Sequence, residues 1–357
     1  MESDPISSIS YRWVRAALSA SVIALSAFAR PAAAEGAGLL RDVVFTDATA
    51  LSGNTELVRR MLSPLVAAQI PRNLARTGGR LREQAVDPAV EKFIVYVPAQ
   101  KPPEGYVLLV FVPPWDDARL PEGWAPVLDQ FGAIFVSAAR SGNKENVIGR
   151  REPLALLAEQ NIVRRYAVDP HRIYVGGFSG GSRVALSLAL GYPDVFRGAL
   201  LNAGSDPIGN AIDPLPPRDL FYLFQSATRL VQVTGERDTG NLEIASASAS
   251  SMRAWCVFDV ETQTTRRVAH AVAGPEALSK ALRALDQHVP PDPEGLAACR
   301  AKIETKMNAA LQQVESLVTE GKRDLAQELL NDVDTRFGGL ASPRSIELAA
   351  KISVPPS

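Results

Sequence analysis

The sequence predicts an α/β fold in which helices cover both faces of a mainly parallel sheet, followed by a helical C-terminal extension. Short apolar segments alternate with helical patterns through the middle of the chain, which favours parallel strands joined by helices. Several of these segments are apolar throughout, as expected for strands that are buried on both faces. The predicted strands span 93–97, 107–112, 133–137, 173–176, 199–202 and 230–234, and the clearest predicted helices span 153–166, 182–190 and 275–287.

The first 34 residues have the features of a secretory signal peptide. Arg12 and Arg15 precede a small apolar run over 16–29, and an Ala-x-Ala site ends at Ala34. The run is shorter than the roughly 20 residues that a membrane span needs. We therefore expect cleavage after Ala34, export to the periplasm or secretion, and no membrane span in the mature chain. The alternatives are an uncleaved membrane anchor and a misassigned start.

The composition limits the class of function. The formal net charge is −1, so no basic surface for nucleic acid or for an acidic membrane is indicated. With three histidines, two cysteines and neither C-x-x-C nor H-x-x-x-H spacing, we expect no metal site and no cofactor. The length after the signal suffices for one large domain and a smaller part. We predict a main domain over 35–288, a linker over 289–295 and a helical extension over 296–357.

The extension is predicted to consist of helices. Its first helix carries a long apolar stripe with steps of three and four residues, and Gly321 ends it. Leu325, Leu329 and Val333 mark a second helix, and Ser342 could cap a third. We expect the stripe to pack against the main domain, and docking of a partner protein is the alternative. The stripe consists of Leu296, Cys299, Ile303, Met307, Ala310, Val314 and Leu317.

A glycine-flanked serine gives the clearest indication of function. Residues 172–176 have the pattern of a buried strand and lead into a G-x-S-x-G segment centred on Ser179. Because a helical pattern follows at once, this is the sequence form of a nucleophile elbow, which holds a serine hydroxyl above the edge of a sheet. The strained conformation of the serine leaves no room for side chains two residues away, and Gly177 and Gly181 meet that requirement.

A nucleophilic serine needs a general base, and the chain offers three histidines. His171 begins the strand that ends near Ser179, so it would lie at the opposite edge of the sheet. His288 follows a predicted helix about 18 Å long and would lie at its far end. His270 lies in a loop between a strand-like segment, 265–269, and that helix. Geometry therefore selects His270.

The acid of such a triad is expected after a late strand of the sheet. The strand predicted over 230–234 is followed by Gly235 and then by the carboxylates of Glu236 and Asp238. We choose Asp238, with Glu236 as the second choice. Asp259 falls inside an apparent strand and is a poorer candidate. The resulting order along the chain, serine, acid, histidine, is that of the α/β-hydrolases.

With these residues identified, the chain from about 107 to 285 resembles secreted serine esterases of the α/β-hydrolase superfamily. The nearest group in pattern is that of the poly(3-hydroxybutyrate) depolymerases and feruloyl-esterase-like proteins. The resemblance lies in residues 169–181, which contain the elbow, in residues 235–238, and in His270 with residues 275–278 behind it.

The resemblance implies an α/β-hydrolase fold in which Ser179 is the nucleophile, His270 the base and Asp238 the acid. These roles agree with the choice made from the residues alone. The shared motifs are specific to the superfamily and not to a substrate. They imply a small-molecule or polymeric ester as substrate without distinguishing the two.

One segment departs from the family pattern. Relatives carry His-Gly just after the strand at 107–112, and the next N–H group helps to form the oxyanion hole, whereas this chain has two prolines at 113–114. Proline has no N–H, so the first donor must be Trp115 or Asp116, acting with Gly180. Two hypotheses remain. Either the hole lacks a donor, which costs about 2.7–4 kcal/mol of transition-state stabilisation, or the rigid prolines hold the Trp115 N–H in place.

Three further features leave alternatives open. Arg140 and Asn143 follow a predicted strand and could contact a polar or anionic part of the substrate, or belong to a solvated loop. The aromatic residues of an insertion after Ser205 could line an acyl site, although core packing is the expected role. Cys256 and Cys299 could form a disulfide between the main domain and the extension, or remain buried thiols. The aromatic residues are Phe221, Tyr222 and Phe224.

These observations together predict an exported serine hydrolase that cleaves a carboxylic ester through an acyl-enzyme. Because the same chemistry cuts amides, a serine peptidase is one alternative. A catalytically weak or inactive binding or envelope protein with a hydrolase fold is another. The two prolines and the helical extension motivate that second alternative.

Overall fold

The computed structural model describes residues 36–353, so the predicted signal peptide and residues 354–357 lie outside the described residues. None of the helices in this described part is long and apolar enough to cross a membrane. The centre of the structure is an eight-stranded sheet. Its strands are β1 (Gly38–Val44), β2 (Lys92–Val97), β3 (Tyr106–Val112), β4 (Ala133–Ala138), β5 (Val168–Phe178), β6 (Gly198–Asn202), β7 (Arg229–Gly235) and β8 (Val260–Thr265).

The strand order is β1-β2-β4-β3-β5-β6-β7-β8. The six strands from β3 to β8 are mutually parallel, and β2 runs antiparallel to both of its neighbours. This arrangement is the α/β-hydrolase fold, so the predicted fold class is confirmed. The six strands predicted from the sequence correspond to β2 through β7. Parallel strands bring their carboxyl ends to one edge, which is where ligands bind in open α/β sheets.

Helices cover both faces of the sheet, as the apolar strands predict. Alternate side chains of the fully buried β3 enter two separate hydrophobic cores. One core contains Leu108, Val110 and Val112, and the other contains Val107, Leu109 and Phe111. The helices are α1 (Asn54–Met61), α2 (Pro64–Thr77), α3 (Trp124–Phe131), α4 (Glu152–Arg165), α5 (Gly180–Gly191), α6 (Arg218–Ala227), α7 (Thr239–Ala254), α8 (Pro275–Leu285), α9 (Pro293–Thr319), α10 (Arg323–Phe337) and α11 (Arg344–Ser353).

The C-terminal helices α9, α10 and α11 pack against the main domain. The apolar stripe of α9 is buried in the same core as α4, α5 and α6. A disulfide between Cys256, just after α7, and Cys299 in α9 joins the two parts covalently. Asp334 of α10 accepts hydrogen bonds from the hydroxyl of Ser63 and from the backbone N–H of Leu65, at the start of α2. The extension is therefore an integral part of the hydrophobic core.

Several predicted boundaries need correction. Helix α9 begins at Pro293, inside the predicted linker. On α10 the buried face is Ala326, Leu330, Val333 and Phe337, whereas Leu325 is 54% exposed.

The strand before His270 also ends earlier than predicted. It is β8, which ends at Thr265, and Asp259 lies just before it. β8 is an edge strand with mostly polar side chains, so its sequence lacks the apolar run that marks the central strands. The half-exposed β1 and the helices α1 and α2 were not predicted from the sequence.

Candidate active site

Ser179 lies on the tight turn between β5 and α5, at the carboxyl edge of the sheet. Its backbone has φ 54° and ψ −123°, a conformation that residues other than glycine rarely adopt. A Cβ atom at Gly177 would lie 2.2 Å from the carbonyl oxygen of Gly181, and one at Gly181 would lie 2.0 Å from that of Val112. Side chains at these two positions would therefore disrupt the turn, as the elbow interpretation requires.

Three residues that are distant in sequence come together here. His270 is 91 residues after Ser179 and 32 residues after Asp238. His270 Nε2 lies 2.9 Å from Ser179 Oγ, and His270 Nδ1 lies 2.6 Å from Asp238 Oδ2. Asp238 directly precedes α7, and His270 lies in the loop between β8 and α8. With a carboxylate next to Nδ1, the neutral ring carries its proton there and leaves Nε2 free to accept the serine proton.

Asn241, in the first turn of α7, holds the carboxylate of Asp238. Its side-chain NH₂ group donates to both carboxylate oxygens, at 2.9 Å and 3.0 Å. Burial raises the pKa of Asp238, but the hydrogen bonds from His270 and Asn241 outweigh it and lower the pKa below its usual value. Asp238 therefore stays ionised at neutral pH. Asn241 was not predicted from the sequence, where its only signal is its position three residues after the acid.

Aromatic side chains form one wall beside the histidine. The ring centroids of Phe178 and His270 are 4.9 Å apart. The indole of Trp115 packs beside them, with its centroid 6.2 Å from that of Phe178 and 6.4 Å from that of Phe111. The guanidinium of Arg119 covers the indole of Trp115 at 4.2 Å. The His270 side chain itself is 43% exposed. The wall thus supports the imidazole while leaving it open to a substrate and to water.

Two backbone N–H groups on the segments around the elbow have no hydrogen-bond partner among the described residues. Gly180 follows the serine and begins α5, so its N–H has no partner within the helix. The N–H of Trp115, after the two prolines, likewise has no hydrogen-bond partner among residues 36–353. The sequence predicts these two groups as the oxyanion donors, and that role stays a prediction.

The segment that carries the Trp115 N–H is fixed from behind. The carbonyl oxygen of Pro114 accepts from the N–H of Asn143 at 3.1 Å, and that of Asp116 accepts from the N–H of Arg140 at 2.6 Å. The Asp116 carboxylate accepts from the N–H of Gly142 at 3.1 Å. The segment after the prolines is therefore held by backbone bonds to the loop at 140–143.

Arg151, just before α4, ties the same two loops together. Its guanidinium donates to the carbonyl oxygens of Ser141 and Pro113, both at 2.9 Å. The side chain is buried, which lowers its pKa to about 10. These bonds favour the second hypothesis for the two prolines, in which a rigid segment presents the Trp115 N–H.

The two residues proposed as substrate contacts differ in their surroundings. Arg140 pairs at 2.9 Å with Glu91, a buried carboxylate that also binds Arg150 at 2.6 Å. This ion-pair cluster gives Arg140 a structural role. Asn143 instead lies against the turn, because a Cβ atom at Gly180 would meet its Oδ1 at 2.2 Å. Asn143 is thus the one of the two that lies at the site.

The other candidates lie away from the triad. His171 is in the exposed first half of β5, and His288 pairs at 2.7 Å with Asp259, which also binds the buried Arg229. Phe221 and Phe224 are fully buried in the core beneath α9. Within residues 36–353 no group of three or more histidine, cysteine, aspartate or glutamate side chains is placed to hold a metal ion.

The strand order and the arrangement of serine, histidine and aspartate define the class of this protein as an α/β-hydrolase fold. No family model matches the chain. A poly(3-hydroxybutyrate) depolymerase of Ralstonia pickettii is 30% identical in an alignment of 98 positions that covers 24% of this chain and 20% of that protein. The chain therefore spans about a fifth of the length of the curated relative that it matches.

Solved structures show further similarity. The poly(3-hydroxybutyrate) depolymerase of Bordetella parapertussis is 16% identical, with a TM-score of 0.40, over 58% of this chain and 88% of that one. Esterase 2 of Thermogutta terrifontis, solved as its paraoxon-phosphorylated form, is 19% identical, with a TM-score of 0.40, over 57% and 89% of the two chains. At these identities the strand order and site of this chain, rather than the superpositions, identify the fold.

Proposed function

We propose that this protein is an exported serine hydrolase that cleaves a carboxylic ester through an acyl-enzyme. The main support for the proposal is the pair of hydrogen bonds that link Ser179 to His270 and His270 to Asp238, with Ser179 on a strained turn. A relay of this kind activates a serine that would otherwise be a weak nucleophile.

In the first half of the reaction, Ser179 Oγ attacks the ester carbonyl carbon while His270 Nε2 takes the hydroxyl proton. The carbonyl oxygen becomes an oxyanion, which the N–H groups of Gly180 and Trp115 stabilise. The tetrahedral intermediate then collapses, and the protonated His270 gives its proton to the departing alcohol. Asp238 keeps the imidazole in the correct tautomer and stabilises the imidazolium.

In the second half, water attacks the acyl-enzyme. His270 takes a proton from that water, and the oxyanion forms again at the same two N–H groups. When this intermediate collapses, the bond to Ser179 Oγ breaks and His270 returns the proton to that oxygen. The exposure of the His270 ring gives water access to this step. The carboxylic acid is then released and the enzyme is restored.

Two observations support export. The pattern of residues 1–34 is that of a secretory signal. The Cys256–Cys299 disulfide is typical of proteins that fold in an oxidising compartment. The name of the Ralstonia pickettii relative suggests a polyester substrate, and we include such a polymer beside small esters in the test.

The test is hydrolysis of a panel of 4-nitrophenyl esters, the matching anilides and poly(3-hydroxybutyrate) by purified residues 35–357. We expect ester cleavage that Ser179→Ala lowers by at least about 10³-fold. Ser250→Ala, a change at an exposed serine of α7, is the matched control and should retain activity. Faster cleavage of the anilides would indicate a peptidase. No cleavage of any substrate by folded protein would favour the binding or envelope protein.

A further inference from the structure

A cavity of about 390 Å³ lies beside the nucleophile. Gly180, which follows Ser179, and Asn143 form the end nearest the elbow. Its volume is in the range of small-molecule binding sites, about 300–1,000 Å³. Much of the wall is apolar and includes Met61, Val147, Ile148, Val184, Leu190 and Ile212.

One carboxyl group in this apolar wall has no partner. Glu152, the first residue of α4, lines the cavity and is only 1% exposed. Its Oε2 atom is completely buried and has no hydrogen-bond partner among residues 36–353. A buried polar group without a partner destabilises a fold, so such groups call for an explanation. A ligand in the cavity would supply the missing hydrogen bond.

The charges around Glu152 favour a neutral ligand. Burial and, to a smaller extent, the charge of Asp213 raise the pKa of Glu152, and Arg151 lowers it. The net pKa is about 8, so the group is mainly the neutral acid at pH 7. Arg151 is hydrogen-bonded to carbonyl oxygens and keeps a positive charge. Asp213 accepts a hydrogen bond from Ser187. Burial raises the pKa of Asp213 to about 6, so above that pH its side chain carries a negative charge. These two charges offset each other.

The other charged residues of the wall are already paired. Arg183 binds Asp206 at 2.9 Å, and Arg60 binds Asp194 at 2.7 Å. An ammonium or carboxylate ligand would therefore enter a cavity whose charges are balanced, and it would lose its hydration without gaining a counterion. A neutral group that donates and accepts hydrogen bonds fits better.

The cavity lies on the acyl side of the ester. The departing alcohol receives its proton from His270, so it must lie next to that ring. The cavity is lined instead by α1, α4, α5 and the segments around 143–151 and 206–214, and neither His270 nor its loop contributes. What remains on this side of Ser179 is the acyl chain.

We propose that the cavity binds the acyl chain of the substrate and that Glu152 determines specificity by hydrogen-bonding a hydroxyl group on that otherwise aliphatic chain. This inference rests on the proposed ester hydrolysis. A protonated carboxyl group can both donate to and accept from a hydroxyl, which satisfies both partners. The apolar wall binds the methylene groups of the chain.

The experiment compares kcat/KM for the 4-nitrophenyl esters of hexanoic, 6-hydroxyhexanoic and 6-aminohexanoic acid. We expect the wild type to prefer the hydroxy ester over the plain ester by about tenfold, the scale of one net hydrogen bond. Glu152→Gln should keep this preference, because an amide also donates and accepts. Glu152→Met should remove it, so that the hydroxy ester and the plain ester are cleaved with equal kcat/KM. Glu159→Met, a change at a buried acid of the same helix that does not line the cavity, should leave the preference intact.

A second readout separates a specificity role from a structural one. Between about pH 7 and pH 9 the hydroxy-ester preference of the wild type should rise as Glu152 ionises, because a carboxylate accepts a stronger hydrogen bond from the hydroxyl, whereas that of Glu152→Gln should not change. An unchanged preference in Glu152→Met, or preference for the amino ester, would overturn the inference. If either result is found and a fluorophosphonate still labels Ser179 of the wild type, only the acyl-site inference fails. If Ser179 of the folded wild type is not labelled, the proposed ester hydrolysis itself is contradicted.

Discussion

The side-chain NH₂ group of Asn241 lies within 3.0 Å of both carboxylate oxygens of Asp238. The same nitrogen is 3.2 Å from Nδ1 of His270. The acid of the proposed triad is therefore oriented by α7 as well as by the histidine. This makes Asn241 a positioning residue, which acts on the chemistry through Asp238.

Replacement of Asn241 by alanine should lower kcat by about tenfold and leave KM nearly unchanged. Asp238 would lose a hydrogen bond that fixes its direction toward the imidazole, and such a loss weakens the transition state more than substrate binding. Steady-state kinetics on a 4-nitrophenyl ester measures both constants. Glu243→Ala, at an exposed position of the same helix, is the control. Equal kinetics for the Asn241 variant and the wild type would show that α7 does not position the acid.

Replacement of Asp116 by alanine should loosen the oxyanion segment. The variant loses the bond from the Gly142 N–H that holds the segment after the two prolines. We expect kcat to fall by about tenfold, since complete loss of an oxyanion donor costs about 10²–10³-fold. Asp116→Asn keeps a carbonyl acceptor at this position and should stay near the wild-type rate. If both variants are fully active, the Trp115 N–H does not depend on this anchor.

Glu159 should make the fold less stable as the pH rises. Burial, with a contribution from Asp194, raises its pKa from 4.5 to about 7. Between these values the folded protein binds the proton more tightly than the unfolded chain, so the free energy of unfolding falls with increasing pH. Glu159→Gln removes this effect. The free energy of unfolding of the variant, relative to that of the wild type, should increase by about 1–3 kcal/mol between pH 5 and pH 8.

Urea denaturation at the two pH values measures this difference. Glu104→Gln, a change at an exposed glutamate, provides the control and should track the wild type at both pH values. A constant difference between Glu159→Gln and wild type would show that the buried carboxyl does not titrate in this range.

The Cys256–Cys299 disulfide should contribute substantially to stability. It closes a loop with a sequence separation of 43 residues and attaches α9 to the main domain. The double variant Cys256→Ala/Cys299→Ala should unfold with a free energy lower by about 2–4 kcal/mol. Denaturation of both proteins with and without a reductant measures this effect, and the reductant should change only the wild type. Two free thiols in the purified protein would contradict the disulfide.

The central part of the fold could be predicted because its strands are buried on both faces. Each such strand is an unbroken apolar run, and β3 is the clearest example. The edge strands β1 and β8 face solvent on one side and carry polar residues, so the same criterion does not detect them. His270 could be selected because the chain has few histidines and the predicted geometry separated them.

Asn241 and Glu152 could not be identified in this way. The role of Asn241 depends on the direction in which α7 leaves the sheet after Asp238, which is a tertiary property. Glu152 begins a helix whose first turns are buried on all sides. In the sequence a glutamate at a helix start indicates only a favourable interaction with the helix dipole. Its burial in a cavity wall becomes visible only once α4 and α5 are placed together.

The nucleophilic role of Ser179 can be tested by the intact mass of residues 35–357 after treatment with a fluorophosphonate, followed by peptide mapping. We expect a single phosphonyl adduct on Ser179, which Ser179→Ala abolishes and His270→Ala suppresses strongly. An unmodified mass for well-folded wild-type protein, or an adduct on a different serine, would contradict the proposed catalytic triad.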